Sequence, residues 1–353
     1  INGQRFQFFV VDSPVINAFA LPGGYIGVHT GLLLATRTES ELAGVLAHEI
    51  SHVTQRHISR AVFANQRAST LSLAAMLGAI LVGVATGADP GLIQGAVGAT
   101  QGMAVEQQIG FTRSNEKEAD RVGIDLLANA GFDPIGMPDF FETMGRSSAT
   151  LSENKAPEFL LTHPVTSDRM AETRDRAKNY PKIEAVDSSG YSLARARVQL
   201  FTASRPEVAM EYFQAESNKP DKVGSLEIEY GIALAALELG SYDDAYDRFN
   251  SLVKTNEEIV ALHSGKGISQ VSLGEKEAAL ETFQHAMKLF PRNVPLTVRY
   301  AETLMRYGDA DKAHDILLDL LNQVPPTLEQ IRLIALAANP AGDTADAHNY
   351  MAE

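Results

Sequence analysis

The chain has 353 residues, enough for two domains each with its own core, and its 45% apolar and 21% charged content is that of a globular protein. Its 44 acidic and 30 basic residues leave a net charge of -14, which offers no broad basic surface for a phosphate backbone and argues against a nucleic-acid partner. With no cysteine there is neither a disulfide framework nor thiolate chemistry, and the redox compartment stays open.

The opening INGQRFQFFVVDSP carries neither an initiator methionine nor the basic-then-apolar pattern of a secretory signal. Short aromatic and β-branched runs follow, broken by Pro22, Gly23 and Gly24, and predict a small hairpin or mixed sheet. YIGVHTG reads as an edge strand beside a cleft, because its central glycine lets another backbone come close. An extended substrate could pair its backbone there, and His29 is a candidate for the cleft wall. A helix then opens at Thr38, a residue able to cap it, with Glu41 three residues on in the capping-box position. Leu42, Val45, Leu46, Ile50 and Val53 make its apolar stripe.

Residues 71–85 are almost wholly apolar but rich in Ala and Gly, and shorter than the roughly 20 residues a membrane span wants. A buried or re-entrant helix is expected over 71–86, ahead of a membrane-surface segment and then a span. Further helices are predicted over 92–109 and over SNEKEADRVGIDLLANAG, with Ser114 as candidate cap and Gly131 as stop. FDPIGMPDFFETMGR adds a short helix, and another begins near Ser167. The domain boundary is expected between 180 and 192, giving domains of residues 1–185 and 186–353.

The second domain is repetitive. Gly240, Gly274, Gly308 and Gly342 are each 34 residues apart, followed five residues later by Ala245, Ala279, Ala313 and Ala347. Phe249, Phe283, Leu317 and Met351 recur at a further fixed offset. This pattern resembles the tetratricopeptide repeat, a helical hairpin with glycine near its turn and alanines where the helices touch. Pro291 and Pro325 fill the closing position of the repeat, and Glu257 departs from it. LARARVQLFTASRPEVAMEYFQAE is expected to form a further, irregular hairpin. Such an array presents a concave surface that usually binds a peptide or protein.

The chemistry is concentrated in VLAHEISHV. On a helix His48 and His52 lie about 40° apart around the axis and one turn apart along it, so their imidazoles face one point. Glu49, rotated about 100°, sits beside that point. Two neutral nitrogens holding a metal, with a carboxylate alongside to take a proton from the attacking water, suit zinc hydrolysis. The alternative is one core histidine and one surface histidine. The apolar flanks argue against it, since buried imidazoles and a carboxylate are costly without a partner. A third ligand is available on a second helix, where Glu116 and Asp120 share a face and Glu118 points elsewhere. Spacing leaves open which of the pair binds metal and which orients a ligand histidine. His57, about 140° around from His52, is expected to point away from the metal, either on the surface or supporting a metal ligand from behind. His263, His285, His314 and His348 fall in the repeats and receive no catalytic role, and LPGGYIG lacks the ending of a phosphate loop.

HEISH at 48–52 followed by EKEAD at 116–120 resembles the gluzincin peptidases that include the CaaX prenyl endopeptidases and HtpX, in particular their periplasmic, repeat-bearing branch. The resemblance implies that Glu116 is the third zinc ligand and Asp120 its supporting carboxylate. It also implies that His163, in LLTHPVTSDRMAE, acts as a plug that reaches the zinc until its loop moves. By the residues alone a loop histidine is more often a hydrogen-bonding surface group. Arg169 could hold that loop, stabilise an oxyanion or simply be solvated. Membrane-spanning relatives have long apolar helices that this chain lacks, so the resemblance implies a soluble or peripherally attached enzyme.

The reading is therefore a mainly α chain: an N-terminal α+β zincin-like metallopeptidase domain with a small β element, then a tetratricopeptide-repeat solenoid. One Zn²⁺ per chain would be held by His48, His52, Glu116 and His163, with Glu49, Asp120 and Arg169 as catalytic residues. The resemblance implies a periplasmic endopeptidase acting on misfolded or stalled outer-membrane β-barrel proteins and docking their assembly machinery through the repeats. Residues 71–105 would provide any peripheral membrane contact. The competing reading is a chaperone or protein-binding module whose peptidase site is normally shut.

Overall fold

The computed structural model describes residues 3–64, 113–150, 157–321, 327–338 and 341. The helices expected over 71–86 and 92–109, Pro325, and the last repeat positions Gly342, Ala347 and Met351 lie outside them. Contacts divide the chain into two compact units, 1–198 and 199–353.

The first unit opens with strands β1 (Gln7–Val11), β2 (Ala18–Leu21) and β3 (Tyr25–His29), ordered β1-β3-β2. β1 runs parallel to β3, and β2 antiparallel to it. YIGVH is thus the central strand and not an edge. Its glycine makes room for a ring, because Gly27 pairs with Phe19 and an added Cβ would stand 2.5 Å from that ring. The tight β2–β3 turn needs Gly24, at φ +91°, where a Cβ would meet the Arg5 carbonyl oxygen at 2.3 Å.

Helices α1 (Thr30–Ala35), α2 (Glu39–Thr54) and α3 (His57–Ala64) follow, then α4 (Arg113–Asn129), α5 (Gly136–Thr150), α6 (Glu158–Thr162), α7 (Ser167–Ala177) and α8 (Ser189–Thr202). Thr38 caps α2 by accepting the Glu41 N–H at 3.2 Å. Glu41 itself turns one residue further back, accepting the Arg37 N–H at 2.7 Å and pairing with its guanidinium, so the reciprocal half of a capping box is displaced. α2 is sandwiched. Leu46, Ile50 and Val53 pack with Ile26 and Leu21 of the sheet, whereas Val45 and Ala47 pack with Ile124, Leu127, Met137 and Phe141 of α4 and α5. With apolar neighbours on both sides, the helix buries Ser51, His48, Glu49 and His52 as well.

α4 is helical from Arg113, so Ser114 lies within it and is not its cap. It stops where expected: Gly131 adopts φ +85° and the Phe132 N–H returns to the Leu127 carbonyl at 3.2 Å. The glycine of its middle turn, Gly123, lets α4 lie close to α2, since a Cβ there would be 3.2 Å from the His48 backbone nitrogen. α8 joins this unit through Tyr191, whose hydroxyl donates to the Thr36 carbonyl at 3.1 Å. Arg195 reaches the carbonyls of Leu33, Leu34 and Thr36 at the C-terminal end of α1. The compact unit therefore extends past residue 185.

The second unit comprises α9 (Pro206–Ser217), α10 (Leu226–Glu238), α11 (Tyr242–Thr255), α12 (Val260–Leu273), α13 (Lys276–Leu289), α14 (Val294–Arg306), α15 (Ala310–Leu321) and α16 (Leu328–Ala338). Gly240, Gly274 and Gly308 all adopt left-handed φ, between +76° and +84°. Each is followed by the same return hydrogen bond, from Ser241 to Ala236, Glu275 to Gln270 and Asp309 to Leu304, all at 2.9 Å. Ala209, Ala245, Ala279 and Ala313 are fully buried small residues, and Phe213, Phe249, Phe283 and Leu317 are the buried large ones. Phe213 and Phe249 lie over Gly231 and Gly265, where a Cβ would stand 2.3 Å from the ring. Among the described residues no helix is long and apolar enough to cross a membrane.

Candidate metal centre

Two crossing helices bring the sequence-selected groups together. α2 carries His48, Glu49 and His52; α4 faces it with Glu116 and Asp120; His163 ends α6 and Arg169 lies in the first turns of α7. All seven side chains are buried. His48, His52, Glu116 and His163 each offer one donor atom, and the four atoms lie within 4.8 Å of one another.

The donor separations are those a small cation imposes. His48 Nε2 is 2.9 Å from His52 Nε2, 3.4 Å from His163 Nδ1 and 3.4 Å from Glu116 Oε2. Glu116 reaches His52 Nε2 at 3.4 Å and His163 Nδ1 at 3.2 Å. Ligands of a tetrahedral zinc stand about 3.3 Å from one another. Charge gives the same answer. Glu49, Glu116 and Asp120 set three buried carboxylates against one guanidinium, Arg169, leaving a deficit that a single divalent cation would neutralise. The residues present fit a divalent metal held by His48, His52, Glu116 and His163.

Without that cation, protons take its place. Burial opposes charge on His48, but the carboxylates of Asp120 and Glu116 outweigh it and raise His48 to about 9. Burial likewise opposes charge on His163, and Glu116 and Glu49 overcome it. His52 is held well below its ordinary value by burial and by the neighbouring His48, His163 and His57. Glu116 resists burial and stays well below the usual carboxylate range because His163 and His48 face it.

The remaining groups stand around the donors. Asp120 Oδ1 is 2.9 Å from His48 Nδ1, and both Asp120 oxygens accept from Arg169 at 2.7 Å. Arg169 also pairs with Glu116 at 2.9 Å and donates to the Pro164 carbonyl at 2.8 Å, so it ties the His163 loop to the α4 carboxylates. Neither Glu49 oxygen has a well-formed hydrogen bond among the described residues. Burial raises the Glu49 pKa, the condition of a carboxylate ready to accept a proton. His163 Nε2 stands 3.5 Å from Glu49 Oε1.

Residues 1–177, half of the chain, match the model of Peptidase family M48. The chain belongs to this family. Its M48 domain supplies all seven residues of the cluster, and residues 271–338 match the tetratricopeptide repeat. The chain is similar to the beta-barrel assembly-enhancing protease of Escherichia coli K12, with 34% identity over 322 residues, 88% of this chain and 63% of that one. It is 38% identical to the protein of the same name from Yersinia pestis over 251 residues, 70% of this chain and 50% of the other. The chain thus spans between half and two thirds of the length of these relatives. A thermophilic TPR protein of Thermus thermophilus aligns over 47% of this chain and 89% of its own, with 22% identity and a TM-score of 0.39.

The helix that carries His48 and His52 stops short of His57. α2 ends at Thr54, and Arg56 reverses the chain at φ +57°. His57 therefore opens a new helix and turns back to the cluster, with Nδ1 3.0 Å from His52 Nδ1. Glu118, rotated off the metal-facing side of α4 as expected, meets His57 Nε2 at 3.1 Å. Continuing the helical wheel through residue 57 hides this pairing, and no glycine or proline marks the break. His29 packs edge-on against Phe19 and lies outside the four-donor group. In the repeats, His263 bonds to the Glu257 carbonyl and His285 pairs with the Glu257 carboxylate on the surface.

Proposed function

We propose that the chain is a zinc-dependent endopeptidase in which His48, His52 and Glu116 hold the metal. The observation that carries the reading is the convergence of these donors beside the buried Glu49, which shares its helix with His48 and His52. Zinc, when bound there, supplies the Lewis acidity that makes a water acidic and polarises a peptide carbonyl. Glu49 accepts the proton of the attacking water and returns one to the leaving amine. Asp120, its Oδ1 2.9 Å from His48 Nδ1, is placed to orient that ring with Nε2 towards the metal. Arg169 holds Asp120, Glu116 and the His163 loop in register.

His163 completes the donor set, and its other nitrogen faces Glu49. We infer that the resting enzyme is shut by this residue, and that movement of the Pro164 loop opens it. The likeness to proteases named for beta-barrel assembly supports a periplasmic role on misfolded or stalled outer-membrane proteins, with the repeats docking substrate or partner. Metal analysis tests the site: one zinc per chain, lost or weakened in Glu116→Ala, is expected. A protein that takes up no zinc when it is supplied would refute the reading. His163→Ala, zinc-loaded, should cleave a loosely folded substrate faster than wild type; equal or slower cleavage would remove the plug.

The complete protein donor set also favours a second reading, a chaperone-like binder whose site stays shut. Glu49→Gln separates the two. Loss of cellular function with zinc retained marks catalysis as the role, and retained function marks binding.

A further inference from the structure

We propose that Glu118 and His57 form a hydrogen-bonded chain that fixes the tautomer and ring orientation of His52, making His57 a positioning residue for the metal. The inference rests on the proposed zinc site and concerns residues outside its donor set.

The direction of each bond follows from the chemistry of its far end. A carboxylate only accepts, so Glu118 Oε2, 3.1 Å from His57 Nε2, requires the proton of a neutral His57 to be on Nε2. Nδ1 of His57 is then an acceptor. At 3.0 Å from His52 Nδ1 it receives the proton that His52 carries there. His52 is left with its lone pair on Nε2, the nitrogen that faces His48 and Glu116. His48 Nδ1 stands 2.9 Å from Asp120 Oδ1, so a carboxylate lies behind each histidine of α2, one of them with an imidazole interposed.

Three further features support the assignment. His57 is fully buried and its ring stands edge-on to His52, with centroids 4.9 Å apart. Arg56, immediately before it, holds an unfavourable left-handed φ of +57° that turns His57 inward. Arg60, one turn along α3, donates to the same Glu118 oxygen at 3.0 Å and to Asn115 at 3.3 Å, fixing the carboxylate in place. The chain runs from a partly exposed glutamate to a buried metal-facing ring.

The test begins with ¹⁵N NMR of the zinc-loaded protein. His52 is expected to be protonated on Nδ1 and His57 on Nε2; a proton on His57 Nδ1 would overturn the proposal. Zinc affinity, measured by chelator competition, should fall about 10–100-fold in His57→Phe, which keeps a ring but cannot accept a proton. His57→Gln, with a carbonyl to accept and an amide to donate, should recover most of the loss. Glu118→Ala, at a partly exposed site, should weaken zinc by an intermediate factor and scramble the His57 tautomer. Wild-type affinity in His57→Phe and Glu118→Ala would refute the inference while leaving the zinc site intact. Failure of the wild-type protein to bind zinc would refute the underlying reading instead. Should His57→Phe not fold, the NMR assignment and Glu118→Ala decide alone.

Discussion

Arg169→Ala removes the one guanidinium of the buried cluster. Arg169 makes two 2.7 Å bonds to Asp120, a 2.9 Å pair with Glu116 and a 2.8 Å bond to the Pro164 carbonyl, and it lies 5.1 Å from the centre of the Phe141 ring. The substitution takes the guanidinium from two carboxylates that are 3% exposed or less and leaves them only His48 and His163 as cationic partners. Removing one partner of such a buried pair costs about 3–5 kcal/mol. At about 2–4 °C per kcal/mol for a unit of this size, the melting point should fall by roughly 6–20 °C. Zinc neutralises part of what Glu116 loses, so the deficit should be smaller in metal-loaded protein than after chelation. Paired urea titrations with zinc and with chelator measure both, read by near-UV and far-UV signals to check two-state behaviour. Arg169→Lys keeps the charge but lacks the planar fork, and should recover only part of the loss. A cost below about 1 kcal/mol in the chelated protein would refute the argument, because His48 and His163 would then compensate the two carboxylates without the guanidinium.

Three other outcomes are expected. In metal-free protein, His48 is raised from 6.5 to about 9, so its contribution is fully present below pH 6.5 and lost as pH rises towards 9. Chelated protein should therefore lose stability across that window, and zinc uptake at neutral pH should release protons measurable by calorimetry in buffers of different ionisation enthalpy. Gly123→Ala should push α4 from the His48 backbone, costing about 1–3 kcal/mol and weakening zinc; an unchanged affinity would mean that Met137 and the backbone yield without moving Glu116. Gly274→Ala, at φ +81° with open space around it, should cost about 1–2 kcal/mol through backbone strain alone, seen as a lower melting point with no change in zinc content.

What the sequence made legible was whatever depends on local spacing. Four-residue separations put His48 with His52 and Glu116 with Asp120 on shared helical faces, and the 34-residue period exposed the repeats. Periodicity carries no information once a helix stops. Arg56 breaks α2 without a glycine or proline, so the helical wheel could only leave His57 open between the surface and a supporting place behind a ligand, and could not show that it meets His52. Sheet order is likewise a long-range fact: the glycine in YIGVH signalled close approach correctly, but the approaching group is the Phe19 ring and the strand is central. The apolar stripe read on α2 was incomplete because the helix is covered by the sheet and by α4 and α5 together.

The hold of Arg195 on the end of α1 changes where the peptidase fold can be cut. The family match stops at residue 177, yet Tyr191 and Arg195 donate to the carbonyls of Leu33, Leu34 and Thr36. Those carbonyls stand immediately before the helix that bears His48 and His52. A truncated chain ending at the last motif would keep every residue of the metal cluster and still loosen the start of its main helix. One ending after residue 198 would retain the clasp.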